Sequence, residues 1–188
     1  MVRKATIVMV PGLRDAVTQH WQTLLEADLR SAGQPVVAVP PMGRENLDCA
    51  ARVAAIEHAA QSLSGPLVIV AHSGGCIMVA RWAMQSGRAV QGALLATPPD
   101  FDAPMPAGYP TSQALAAGGW FPVPRQRLPF RSLVALSSND PLGRHERVLA
   151  LAGDWGSEPI ELGEVGHLNP ASGYGPWPLA KQLIDRLL

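Results

Sequence analysis

A three-layer α/β fold on a mainly parallel, six-stranded sheet is what this sequence predicts, and three observations predict it. Six short apolar runs of strand length recur along the 188 residues, and helix-forming stretches lie between nearly all of them. One run, Leu67–Ala71, is followed by His72 and then a Ser-Gly-Gly corner before a further helix. Its unbroken apolar character is that of a parallel strand buried on both faces. With 47% hydrophobic and 16% charged residues the chain is globular, and its length suits one domain over 1–188 with a single sizeable core.

The elements follow in order. Ala5–Val10 is the first strand, halted by Pro11-Gly12. A helix is expected around Val17–Ala32, closed by Gly33, with His20 and Trp21 inside it as packing residues. Gln34–Val39 is a second strand, ended by Pro40-Pro41. Asn46 or Asp48 caps a helix to about Leu63, with Val53, Ile56 and Ala60 on its apolar face. After the Leu67–Ala71 strand, a helix runs from the Gly74-Gly75 corner to about Ser86. Val90–Ala96 is the next strand. Residues 101–130 are proline-rich with scattered apolar side chains, so most of the segment is irregular apart from a short helix at Ser112–Ala117. Its aromatics argue against disorder, and it reads as a covering segment over the carboxyl edge of the sheet. Arg131–Ser137 and Pro159–Leu162 are the last strands, flanking a helix near Arg144–Ala152, and a helix from about Pro176 closes the chain.

The Ser73 corner is the chemically informative stretch. A serine on a tight strand-to-helix turn projects its hydroxyl alone above the sheet, and the next amide, on Gly74, points at the same spot. Helix N-termini favour negative charge, so the corner suits an oxyanion. The usual first glycine of such an elbow is Ala71 here, which adds a methyl group to the turn. In a sheet of order 2-1-3-4-5 the ligand crevice lies between strands 1 and 3. A second oxyanion donor is therefore at hand in the backbone N–H of Leu13 or Gly12.

A serine hydroxyl needs a base, and the base needs an orienting acid. The elbow topology orders them Ser, acid, His along the chain. His20 and His58 lie upstream, and His72 sits on the wrong side of the turn to reach the hydroxyl. His145 opens a polar helix and reads as a surface residue, whereas His167 follows the last strand in a glycine-flanked loop. Among Asp100, Asp102, Asp140 and Asp154, Asp140 sits in a tight Ser-Asn-Asp-Pro turn just after its strand. Ser73, Asp140 and His167 thus fall on one edge of one sheet. Asn169 and Ser172 are placed to hold the histidine loop by hydrogen bonds. Gly12, His72, Trp120 and Phe121 are the expected lining of the substrate pocket.

Fifteen basic residues balance fifteen acidic ones with no basic run, which disfavours nucleic acid and anionic membrane as partners. Cys49 and Cys76 have no metal-ligand spacing and suit a reduced compartment. No stretch has the length of a membrane span, and the apolar run after Arg3-Lys4 is too short for a signal sequence, so a cytoplasmic location is expected.

Val10–Gly12 (VPG), His20-Trp21-Gln22, Ala71–Gly75 (AHSGG), Ser137–Pro141 (SSNDP) and Gly163–Pro178 (GEVGHLNPASGYGPWP) together resemble the small α/β-hydrolases of the retinoblastoma-binding protein 9 type, a serine hydrolase family. The blocks span nearly the whole chain. The resemblance implies an α/β-hydrolase fold with little or no lid and Ser73, Asp140 and His167 as triad. The expected chemistry is hydrolysis of a small to medium uncharged acyl ester, thioester or amide, with no metal or organic cofactor. A non-catalytic interaction module on the same scaffold is the competing expectation, and it needs an exposed apolar patch such as Trp120 and Phe121. A nucleotide binder is disfavoured by the lack of a P-loop lysine.

Overall fold

The computed structural model describes residues 4–14 and 17–188. Its strands are β1 (Thr6–Val10), β2 (Val36–Ala38), β3 (Leu67–His72), β4 (Val90–Ala96), β5 (Ser132–Leu136) and β6 (Glu158–Glu161). They form one sheet in the order β2-β1-β3-β4-β5-β6, every neighbouring pair parallel. The helices are α1 (Trp21–Ser31), α2 (Cys49–Gln61), α3 (Gly74–Ala83), α4 (Ser112–Ala117), α5 (His145–Trp155) and α6 (Leu179–Asp185).

Strand periodicity splits the core in two. Val8, Ile69, Ala71, Leu95 and Val134 face α2, α3 and α5, while Ile7, Met9, Val70, Leu94 and Ala135 face α1 and α6. Helices thus cover both faces, as parallel strands require. β3 is buried along its whole length, whereas edge strand β6 is mostly exposed and carries Pro159 between Glu158 and Glu161. Charge and proline on an edge block further pairing.

Most element boundaries match the sequence pattern within a few residues, with one instructive exception. α1 begins at Trp21, not near Val17, because the His20 side chain caps it by accepting from the Gln22 N–H. Residues 15 and 16, in the lead-in to that expected helix, lie outside the described residues. α3 ends at Ala83 and α6 spans Leu179–Asp185, both shorter than the apolar pattern suggests. Asp48 takes the α2 cap, accepting from the Ala51 N–H at 3.0 Å.

Candidate active site

The switch in strand order falls at β1 and β3, and both deliver loops to the crevice there. Ser73 follows β3 with φ 56° and ψ −132°, a conformation few non-glycine residues adopt and one that costs on the order of 1–3 kcal/mol. Its neighbours make the turn feasible. A Cβ at position 75 would lie 2.6 Å from the Pro11 carbonyl oxygen, and one at position 74 would lie 2.8 Å from Leu13 Cγ. Glycine at both positions lets α3 press against the loop after β1. Ala71, in place of the usual glycine, sits wholly buried opposite Val10 and Leu95 and leaves the turn intact.

Ser73 Oγ lies 2.8 Å from His167 Nε2, within range to donate its proton. On the other side of the ring, Nδ1–H donates to Asp140 Oδ2 at 2.8 Å and Oδ1 at 3.0 Å. A carboxylate held there fixes the tautomer, leaving Nε2 free to accept. Asp140 is itself oriented by the Leu142 N–H, 2.8 Å from Oδ1. His167 and Asp140 are buried, so their interaction is little screened by solvent.

The loop that carries His167 is fastened atom by atom. The His167 N–H donates to Ser172 Oγ, and the Ser172 N–H to Asn169 Oδ1, both at 3.0 Å. Asn139, just before the acid, accepts from the Gly166 N–H at 2.6 Å and so ties the acid's turn to the histidine's loop. That role of Asn139 was not read from the sequence, although its place in the SSNDP block marks it. The His167 carbonyl accepts from His72 Nε2–H at 2.9 Å.

His72 and His20 extend the imidazole cluster, with ring centroids 5.0 Å apart for His72–His167 and 4.7 Å for His20–His72. Burial lowers the His20 pKa to about 4, and the nearby His167 adds to the shift. Burial likewise holds His72 well below the usual imidazole range, again with His167 contributing. Both stay neutral near pH 7, so neither opposes a positive charge on His167. Burial also pushes the thiols of Cys76 and Cys49 up, which leaves both poor nucleophiles.

A cavity of about 620 Å³ opens beside Ser73, inside the ~300–1,000 Å³ range of small-molecule sites. Gly12, Leu13, His72 and His167 line it together with Phe101, Met105, Tyr109 and Leu142. Trp120 and Phe121 do not. The Trp120 ring is fully buried edge-on to Phe101, and its N–H donates to the Leu47 carbonyl at 2.8 Å. Phe121 is half-buried against the same core. The covering segment instead offers Met105 and Tyr109 to the cavity, and Arg14 fastens Tyr109's loop by bonding the Gly108 carbonyl and stacking on the ring at 4.0 Å.

Arg52 was not recognised from the sequence either. The residue is 1% exposed, and its guanidinium donates to the carbonyls of Leu13 (3.2 Å), Gly43 (2.7 Å) and Asn46 (2.7 Å). It therefore clamps the loop after β1 to the one after β2. A charged residue on the buried side of an otherwise apolar helix is the signal that marks it. Among the described residues, no group of three or more His, Cys, Asp or Glu side chains is arranged to hold a metal. No described helix is long and apolar enough to cross a membrane.

The serine hydrolase family profile matches residues 7–186. By structure the chain is similar to a YdeN-like hydrolase of Pectobacterium atrosepticum, with 26% identity, a TM-score of 0.79, and 98% of this chain and 90% of that one covered. The ydeN gene product of B. subtilis has a TM-score of 0.76 at 16% identity, covering 97% and 98% of the two chains. Est1E of Butyrivibrio proteoclasticus, solved with ferulic acid bound, has a TM-score of 0.72 at 10% identity, covering 97% and 89%. The last two likenesses are of fold alone. No curated protein matches the sequence.

Proposed function

The chain belongs to the serine hydrolase family, and from that premise we propose that it hydrolyses small to medium uncharged acyl esters through Ser73, His167 and Asp140. The observation that carries this reading is the continuous relay from Ser73 Oγ through the His167 ring to Asp140, with 2.8 Å at both links. Within the family, the VPG, AHSGG, SSNDP and GHLNP blocks favour the retinoblastoma-binding protein 9 type.

In the proposed reaction His167 Nε2 takes the Ser73 proton as Oγ attacks the ester carbonyl carbon. The carbonyl oxygen becomes an oxyanion, held by the backbone N–H groups of Gly74 and Leu13. Gly74 is the first residue of α3, where amides have no partner within the helix. Each such donor is worth about 2.7–4 kcal/mol of barrier. Collapse expels the alcohol, which takes the proton from His167. Water then gives a proton to His167 and attacks the acyl-enzyme, releasing the acid and restoring Ser73. Asp140 keeps the imidazole tautomer and stabilises its transient charge. The apolar lining by Phe101, Met105 and Leu142 favours an uncharged acyl group over a charged one. The reduced, buried cysteines suit a cytoplasmic setting.

Intact-mass measurement after treatment with a fluorophosphonate tests the reading. One adduct on the native protein is expected, lost in Ser73→Ala and strongly slowed in His167→Ala, with turnover of p-nitrophenyl esters following the same order. A folded native protein that takes no adduct overturns it. The interaction-module alternative loses its main support because Trp120 is fully buried.

A further inference from the structure

We infer that His20 is a specificity residue whose neutral Nε2–H donates to an oxygen of the substrate, a carbonyl, ether or hydroxyl several bonds away from the scissile group. The inference rests on the ester-hydrolase reading of the cavity and adds the class of ester it takes.

The tautomer of His20 follows from its cap. Its Nδ1 accepts the Gln22 N–H at 3.2 Å, so Nδ1 carries the lone pair and the proton of the neutral ring is on Nε2. Among the described residues this Nε2–H has no hydrogen-bond partner, yet it is not one of the buried polar atoms sealed from solvent. The cavity beside Ser73 is the space that the ring lines. An unpartnered donor thus belongs to the lining of a chamber to which Leu13, Val17, Phe101 and Leu142 contribute apolar surface and Arg14, Arg44, Glu45 and Asn169 polar surface.

The ring is rigidly held. One edge caps α1, and the ring packs against Trp21, tilted with centroids 5.7 Å apart, and against His72, edge-on with centroids 4.7 Å apart. His72 is in turn bonded to the His167 carbonyl. Capping alone does not call for an imidazole, since Ser, Thr, Asp or Asn performs it better. What histidine adds is a second, distal N–H at a fixed place. Because burial keeps the ring uncharged through the neutral pH range, it suits an uncharged oxygen acceptor. Two ring contacts separate it from His167, which puts the recognised oxygen along the acyl or alkoxy chain and not on the carbonyl under attack.

The test uses a series of p-nitrophenyl hexanoates and hexyl acetates in which one methylene at a time is replaced by an ether oxygen, each compared with its all-carbon parent. His20→Asn retains a cap and His20→Phe retains a ring, and both lack the Nε2–H. The native enzyme is expected to favour one oxygen position by about tenfold in kcat/KM, the ratio an ordinary hydrogen bond supplies, and both variants are expected to level that preference to near unity. Taking ratios within each protein removes the intrinsic reactivity of each ester and any general loss of activity. Calorimetric binding of the same uncleaved esters to Ser73→Ala, with and without His20→Asn, gives a readout free of turnover. No oxygen preference in the native protein, or one that survives in both variants, overturns the assignment. Failure of Ser73 labelling with a His20-dependent binding preference intact sinks the hydrolase reading instead and leaves the donor in place.

Discussion

The histidine loop, 163–175, and the covering segment, 101–130, both arch over the carboxyl edge of the sheet and both line the cavity, yet they are held by different forces. The first is polar and wired: Gly166, His167 and Ser172 each give their N–H to a named side-chain oxygen. The second is fastened mainly by burial, with Leu115 and Trp120 wholly inside the core and Phe101 against them. Hydrogen bonds fix atoms to within a few tenths of an ångström, whereas apolar packing fixes volume and tolerates variation in shape. The proposed general base, 2.8 Å from the proposed nucleophile, needs the first kind of support, and a pocket wall is adequately served by the second.

The largest effect is expected where the wired side is cut without moving it. Asp140→Asn preserves the shape of the turn but lets the imidazole adopt the wrong tautomer, and a fall in kcat on the order of 10⁴ is the expected result. Thermal unfolding should shift little by comparison. A kcat within tenfold of the native value would mean that His167 is oriented by its loop alone, and the contrast between the two segments would lose its catalytic meaning.

The next effect falls on the other segment and on stability. Trp120→Ala removes a fully buried indole together with its bond to the Leu47 carbonyl, for an expected loss of roughly 3–5 kcal/mol in denaturant unfolding. Below the lowered transition, the rate of Ser73 labelling by a small fluorophosphonate should remain within a few-fold of native. A stability loss under 1 kcal/mol, or a labelling defect as large as that of Asp140→Asn, breaks the division between a wired catalytic loop and a packed cover.

The same division explains what the sequence disclosed. That Ser73, Asp140 and His167 would meet was legible because each follows a strand on one edge of the sheet, and the bonds of Asn169 and Ser172 because short polar side chains in a glycine loop bond to nearby backbone. The six strands and their order were legible because apolar runs separated by helices admit few parallel arrangements. Within the cover, the pattern revealed that aromatics are present but not which way they face. Trp120 and Tyr109 carry the same kind of apolar signal, and only three-dimensional packing sends one to the core and the other to the cavity. Arg52 was overlooked, and His20 was read for its packing but not for its cap, for a related reason. On a helix face or at its start, a polar residue reads as solvated or as packing until the backbone groups it bonds are in view, loop carbonyls for Arg52 and the Gln22 N–H for His20.

Acid sharpens the contrast once more, because the buried histidines stand only on the wired side. His20 has a folded pKa of about 4 against 6.5 when exposed. Its folded value is depressed, so its share of stability is complete above pH 6.5 and is lost as the pH falls toward 4, where the unfolded chain has taken up a proton that the folded chain refuses. That window spans roughly 3 kcal/mol. His72 shifts in the same direction and steepens the fall. Denaturant unfolding at pH 7.5, 5.5 and 4.5 should show a decline that is visibly shallower in His20→Asn, which keeps a helix cap and has no imidazole to protonate. The order of events matters as well. Charging His20 or His72 places a cation within 5 Å, ring to ring, of the cluster that orients His167, so the loop should loosen before the cover does. Amide exchange near pH 4.5 is then expected to rise first at 166–174, while 115–123, which contains no ionisable side chain, keeps its protection until global unfolding. Equal slopes in the two proteins, or simultaneous loss of protection in both segments, would place the acid sensitivity elsewhere and leave the two regions bound into one cooperative unit.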